Sequence, residues 1–155
     1  MTLGTRLKYI IYKRYKYKYN ISNKLKKNML TRNYIKKSRI KARKFFLQEQ
    51  KYGTSSNIYK SAKFILRNDR FCINYSGALT CLDNIEFIYD PIHKHWAETD
   101  GIEISLNTYK TFTPKLLTDT LIHEALHGII LRERRHFIPE DKEHTMMKMI
   151  NSDLI

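Results

Sequence analysis

Apolar residues recur along this chain with two different periods, and the periods divide it into helices and strands. Ile58, Ala62, Ile65 and Leu66 fall three and four apart, the spacing of one helix face, and Gly53 to Ser56 supply a turn with capping residues before them. A helix is therefore predicted up to about Arg70. Residues 71–75, 85–89 and 102–106 are short runs rich in Ile, Phe and Tyr, separated by Ser76-Gly77, Asp90-Pro91 and Asp100-Gly101; they predict three strands with turns between them. Thr113-Pro114 then marks a helix start, with Thr as N-cap and Pro where its missing N–H costs nothing. Leu117, Leu121, Ile122, Ile129 and Ile130 extend that helix in prediction to about Arg134, its last turn carrying Arg132, Arg134 and Arg135. After Pro139 a final helix over 140–154 has the stripe Met146/Met147, Ile150 and Leu154. The class predicted is α+β.

Charge divides the chain differently. It has 155 residues, with 29 Lys and Arg against 15 Asp and Glu. Residues 1–50 hold 16 of the basic residues and one acid, Glu49, while residues 51–155 hold 13 basic and 14 acidic. The expected organisation is a basic Lys/Tyr-rich tail over 1–50, disordered or helical, and a nearly neutral domain over 51–155. Tyr9, Tyr12, Tyr15, Tyr17 and Tyr19 interleave with Lys and Arg, and Ile35, Ile40 and Phe45/Phe46 give residues 31–50 helical spacing. Such a tail suits DNA or RNA, its cations on phosphates and its tyrosines under bases. The plainer reading is compositional drift with a start at Met29. No apolar run is long enough to span a bilayer, and none resembles a secretory leader. Cys72 and Cys81, nine apart, form no metal-ribbon spacing and no disulfide framework. Free thiols, a cytoplasmic rather than secreted monomer and no membrane partner are the expectations.

The chemistry lies in His123-Glu124-Ala125-Leu126-His127, an HExxH. Residues four apart on a helix differ by about 40° in direction, so both imidazoles project from one face and can share a tetrahedral ion. Glu124 stands beside that face, where it can serve as general base to a zinc-activated water. With six His and eight Glu in the chain, chance supplies such a motif about 1% of the time, so the match is informative. Burying two His and a Glu on an apolar helix without a metal would leave costly unpaired polar groups. The cofactor expected is Zn²⁺, with His123 and His127 as ligands.

A catalytic zinc needs a third protein ligand and one open position. His136, Glu140, Glu143 and His144 lie downstream. Glu143 shares the stripe of Met146, Met147 and Ile150, so it is favoured, ahead of Glu140 and then His144. His93 and His95, two apart, can be read as a second metal site or as a turn at a cleft rim. Trp96 reads as a core or cleft-wall aromatic. The predicted strand 102–106 offers an edge for an extended substrate to pair with.

The run IEISLNTYKTFTPKLLTDTLIHEALHG (102–128) resembles the SprT-like metalloproteases, in which a strand leads into a zinc helix, and PEDKEHTMMKMI (139–150) is similar to their ligand-bearing second helix. It also resembles the small gluzincin-type peptidases of phages. The resemblance implies a minimal zincin-like domain of helix, small β-sheet, HExxH helix and C-terminal ligand helix. It implies a zinc endopeptidase, with protein or peptide substrates that can be DNA-associated. Glu140 stands near the place where the SprT pattern has a histidine, which favours a glutamate ligand. The alternatives are a nucleic-acid-binding module whose zinc is structural or inactive, and a metallohydrolase of another substrate.

Overall fold

The structure is a computed structural model and describes residues 32–92, 94–110, 112–134 and 138–154. The proposed tyrosine-rich arm, Met29, His93 and His136 all lie outside the described residues. Five helices and five short strands follow one another as α1 (Arg32–Tyr52), α2 (Asn57–Leu66), β1 (Phe71–Ile73), α3 (Tyr75–Asp83), β2 (Ile85–Ile88), β3 (Ala97–Thr99), β4 (Ile104–Asn107), α4 (Pro114–Leu126), β5 (Ile130–Arg132) and α5 (Glu140–Ile150). A 3-10 turn, Ser152–Leu154, ends the described chain. The mixture is α+β, as the patterns predicted.

Helix α1 crosses residue 50, where the charge changes. Ile35, Ser38, Ala42, Phe46 and Glu49 are buried at spacings of three and four, so one face of this basic helix is core. It packs against α3 and α4, and Arg43 reaches Asp83 of α3 at 2.6 Å. Glu49, the single acid among the first fifty residues, points inward and accepts the Asn57 N–H at 2.9 Å. Together with Ser56, which accepts from Tyr59 N–H at 3.0 Å, it satisfies the free donors at the start of α2.

Several features depart from the sequence reading, among them the last helix, which stops at Ile150 and not at 154. Residues 75–83, read as a turn leading to a strand, form α3: Asn74 caps it by accepting the Gly77 N–H at 3.0 Å, and Ala78, Cys81 and Leu82 supply the buried face. The HExxH helix stops at Leu126, eight residues before the predicted end near Arg134. Gly128 has φ of +75°, a left-handed turn that glycine adopts without steric cost, and Ile129-Ile130 then leave the helix. They enter β5, which pairs antiparallel with β1, Ile73 opposite Ile130. A further departure concerns β4. It lies in the middle of the sheet order β2-β4-β3, parallel to β2 and antiparallel to β3, and all four residues are buried. Both edges are occupied, so no substrate strand can pair there, contrary to the sequence expectation.

Asn107 ends β4 and is completely buried. Its amide uses its full capacity: Oδ1 accepts from Asp90 N and Tyr109 N at 3.1 Å each, and Nδ2 donates to Asp90 O at 2.9 Å and His95 O at 3.3 Å. It fastens the loop after β2 to the approach to α4. Trp96, expected in the core or a cleft wall, is exposed and lies edge-on to Phe112 at 5.2 Å, beside the entry to α4. No described helix is long and apolar enough to cross a membrane.

Candidate metal centre

Thr113 caps α4 through its hydroxyl, which accepts the Leu116 N–H at 3.2 Å, and Pro114 occupies the first turn. Nine residues on, the motif occupies the opposite end of the same helix. His123 is in the last turn; Glu124 is buried; His127 is the C-cap, already extended at φ −63°, ψ 126°. The second histidine therefore leaves helical geometry, yet its ring still meets the first. The His123 and His127 ring centroids are 4.9 Å apart.

His144 of α5 completes the group. Its ring lies 5.3 Å from His123 and 5.1 Å from His127, and one ligand atom from each of the three lies within 4.8 Å of the others. This is the convergent ligand set among the described residues. Glu143, favoured from the sequence as third ligand, is buried as its stripe demanded but does not belong to that set. Its Oε2 accepts the Gly128 N–H at 2.6 Å and its Oε1 stands 3.5 Å from His127 Nδ1. Glu140 is more exposed and lies behind His144, its Oε1 3.8 Å from His144 Nε2. Helix α5 thus meets the end of α4 through residues 143 and 144: Glu143 reaches the turn after α4 and His144 reaches the two rings.

The donor chemistry tests whether a cation fits. His123 Nδ1 faces the carbonyl oxygen of Leu154 in the last 3-10 turn, an acceptor only, so its proton sits on Nδ1 and its lone pair on Nε2. His127 Nδ1 faces a carboxylate and is protonated for the same reason. The two Nε2 atoms are 3.2 Å apart, an approach that is favourable when a cation lies between the two lone pairs or when one Nε2 carries a proton and donates it to the other. Two imidazoles on a tetrahedral ion at 2.0–2.1 Å place their nitrogens about 3.3 Å apart. The residues fit a metal.

Charge follows the same geometry. Burial pushes the His123 imidazolium down to about 4, against the help of the Leu154 carbonyl, and the neighbouring rings of His127 and His144 push the same way. Burial also works against a proton on His127, but the Glu143 and Glu124 carboxylates outweigh it and raise that ring above its ordinary value. In the metal-free protein the first proton goes to the ring nearest the carboxylates, and the second ring stays neutral beside it.

Sequence reasoning missed the Leu154 carbonyl and the Gly128 N–H, since backbone atoms leave no residue-type signal. No protein-family model matches the chain, and no curated protein or solved structure matches it.

Proposed function

We propose that the protein is a zinc-dependent metallopeptidase in which His123, His127 and His144 hold the ion and Glu124 is the general base. The observation that carries this reading is the convergence of His123, His127 and His144, one ligand atom of each within 4.8 Å of the others, with the Nδ1 atoms of the first two facing acceptors. When bound, the ion would supply Lewis acidity to water and to the scissile carbonyl. The chain's own groups do the rest. Glu124, adjacent to His123 and buried, takes the proton of the attacking water and delivers it to the leaving nitrogen. Glu143 and the Leu154 carbonyl keep the two rings oriented with their lone pairs inward. Three histidines leave a fourth position for chemistry, and Glu143, engaged by Gly128 and His127, does not fill it; this favours a catalytic over a structural ion. The HExxH and its likeness to SprT-like proteases point to peptide bonds as the substrate class.

The test is metal content and hydrolysis together. Purified protein should hold about one zinc per chain, and Glu124→Gln should keep the metal while losing about 10²–10⁴ in peptide hydrolysis, the usual contribution of a positioned general base. Unchanged proteolysis in Glu124→Gln would sink the reading.

Nucleic acid is the partner we propose for the outer face of α1. Lys37, Lys41, Lys44 and Lys51 are exposed on it at spacings of four, three and seven, opposite the buried stripe, while the helix's one acid faces inward. The preceding residues 1–31 add nine more Lys and Arg and no acid. Binding to a DNA duplex that is unaffected by salt, or by replacing these lysines, would refute it.

A further inference from the structure

The pair of Nε2 atoms at 3.2 Å has two ways to become attractive. A cation between the lone pairs is one; a proton on one Nε2, giving an N–H···N bond, is the other. The second closes the site without metal, and an unrestrained histidine side chain favours the Nε2–H form. While a ring is neutral, a partner on its far side must hold its proton for Nε2 to stay open. For His127 that group is the Glu143 carboxylate, on the adjacent helix. For His123 it is a backbone carbonyl from the very end of the described chain.

We propose that the turn Ser152–Leu154 is a tautomer clamp for the metal centre: the Leu154 carbonyl retains the proton of His123 on Nδ1 and so keeps Nε2 open to a cation. The turn is built for this position. Asn151 N–H donates to Met147 O at 2.9 Å and Leu154 N–H to Asn151 O at 3.1 Å, while Asn151 Oδ1 accepts from Asp153 N at 3.0 Å. The Leu154 side chain is buried in the core, which fixes where its carbonyl points. From outside, Lys115 Nζ bridges Asp119 of α4 at 2.9 Å and Asp153 of the turn at 2.8 Å. The amino-terminal half of the motif helix thereby anchors the turn that restrains a histidine at its carboxy-terminal half. Leu154 and Lys115 are positioning residues, acting on the metal through His123. The clamp rests on the metal-centre reading above, but it makes a claim about the metal-free protein that can fail separately.

The experiment uses the full chain with ¹⁵N-labelled histidine, stripped of metal, and two-bond ¹⁵N–¹H correlation spectra near neutral pH, followed by titration with Co²⁺ alone. The full chain should show His123 protonated on Nδ1 and should bind Co²⁺ with a single site. A chain ending at Asn151 should show His123 shifted to the Nε2–H form and bind Co²⁺ about 10–100-fold more weakly, the usual loss on removing an outer partner of a ligating histidine. Because that variant removes a buried leucine and can unfold, Lys115→Met provides the second arm: it leaves the core intact, should mix in the Nε2–H form and weaken Co²⁺ measurably, and Lys115→Arg should restore both. An Nε2–H tautomer in the full chain overturns the clamp and leaves the metal centre standing. So does a Lys115→Met protein with unchanged tautomer and unchanged Co²⁺ affinity. An Nδ1–H tautomer in a full chain that takes up neither Co²⁺ nor Zn²⁺ retains the clamp and overturns the metal reading.

Discussion

Of the four acidic and imidazole groups that compete for one role in the sequence, the three among the described residues take three different places in the structure. His144 joins His123 and His127, Glu143 stands behind His127 and Glu140 behind His144. Substitutions should separate these roles. On the proposed zinc reading, His144→Ala should abolish stoichiometric zinc binding, since it removes one of the three imidazoles that converge. Glu143→Gln should retain zinc with about 10–100-fold lower affinity, because it alters only the orientation and basicity of His127; competition with a chromophoric chelator reads both. Protonation gives a second check. By imidazole NMR of metal-free protein, His123 should titrate near 4 and His127 above its ordinary value. The consequences for stability have opposite signs. For His123, the folded value lies below the unfolded one of about 6.5. Its contribution is intact above that pH and is lost as pH falls towards 4, by at most about 1.4 kcal/mol per pH unit. The raised His127 contributes stability below the unfolded value and loses it as pH rises through the folded one. Urea denaturation of metal-free protein across pH 4–8 measures the sum.

At the scale of elements, the junction between α4 and β5 decides the site. The apolar pair Ile129-Ile130 reads as a continuing helix face, but β-branched residues suit either state, and the left-handed Gly128 ends the helix at the motif's edge. Gly128→Ala should cost about 1–2 kcal/mol in denaturant unfolding, the penalty of a left-handed Cβ, and should weaken metal binding by moving both His127 and the N–H that holds Glu143. β1, β3 and β5 have three residues each, too few for alternation to be read. That brevity hid β3 and β5 from the sequence, and with β3 the fact that β4 is an inner strand. α3 was hidden by its own start, because Asn74 bonding to Gly77 N–H has the local chemistry of a turn as well as of a cap.

For the molecule as a whole, charge and packing draw different boundaries. Helix α1 carries much of the excess charge on one side and core residues on the other. Phe46→Ala should therefore destabilise the protein by about 3–5 kcal/mol in thermal or urea unfolding, a loss that a dispensable tail would not show. On the outer side, replacing Lys37, Lys41, Lys44 and Lys51 by Gln should leave stability almost unchanged. In fluorescence anisotropy with duplex DNA it should lower affinity and reduce the slope of log K against log salt by about one for each lysine that meets a phosphate. An unchanged slope removes α1 from the interface.

Residue types and their spacing were enough, by themselves, for the α+β class, the start of α4 at Thr113-Pro114, the inward face of Glu143 and the pair of imidazoles four residues apart. These are local properties, set by residue spacing and capping chemistry, although His127 meets His123 from just past the end of the helix. Which downstream group becomes the third ligand depends on how α5 approaches the end of α4, and a rotation of one residue exchanges Glu143 for His144. Which nitrogen of His123 faces inward depends on a carbonyl 31 residues away along the chain. Contacts of that kind are set by the packing of whole elements, so only the tertiary structure could decide them.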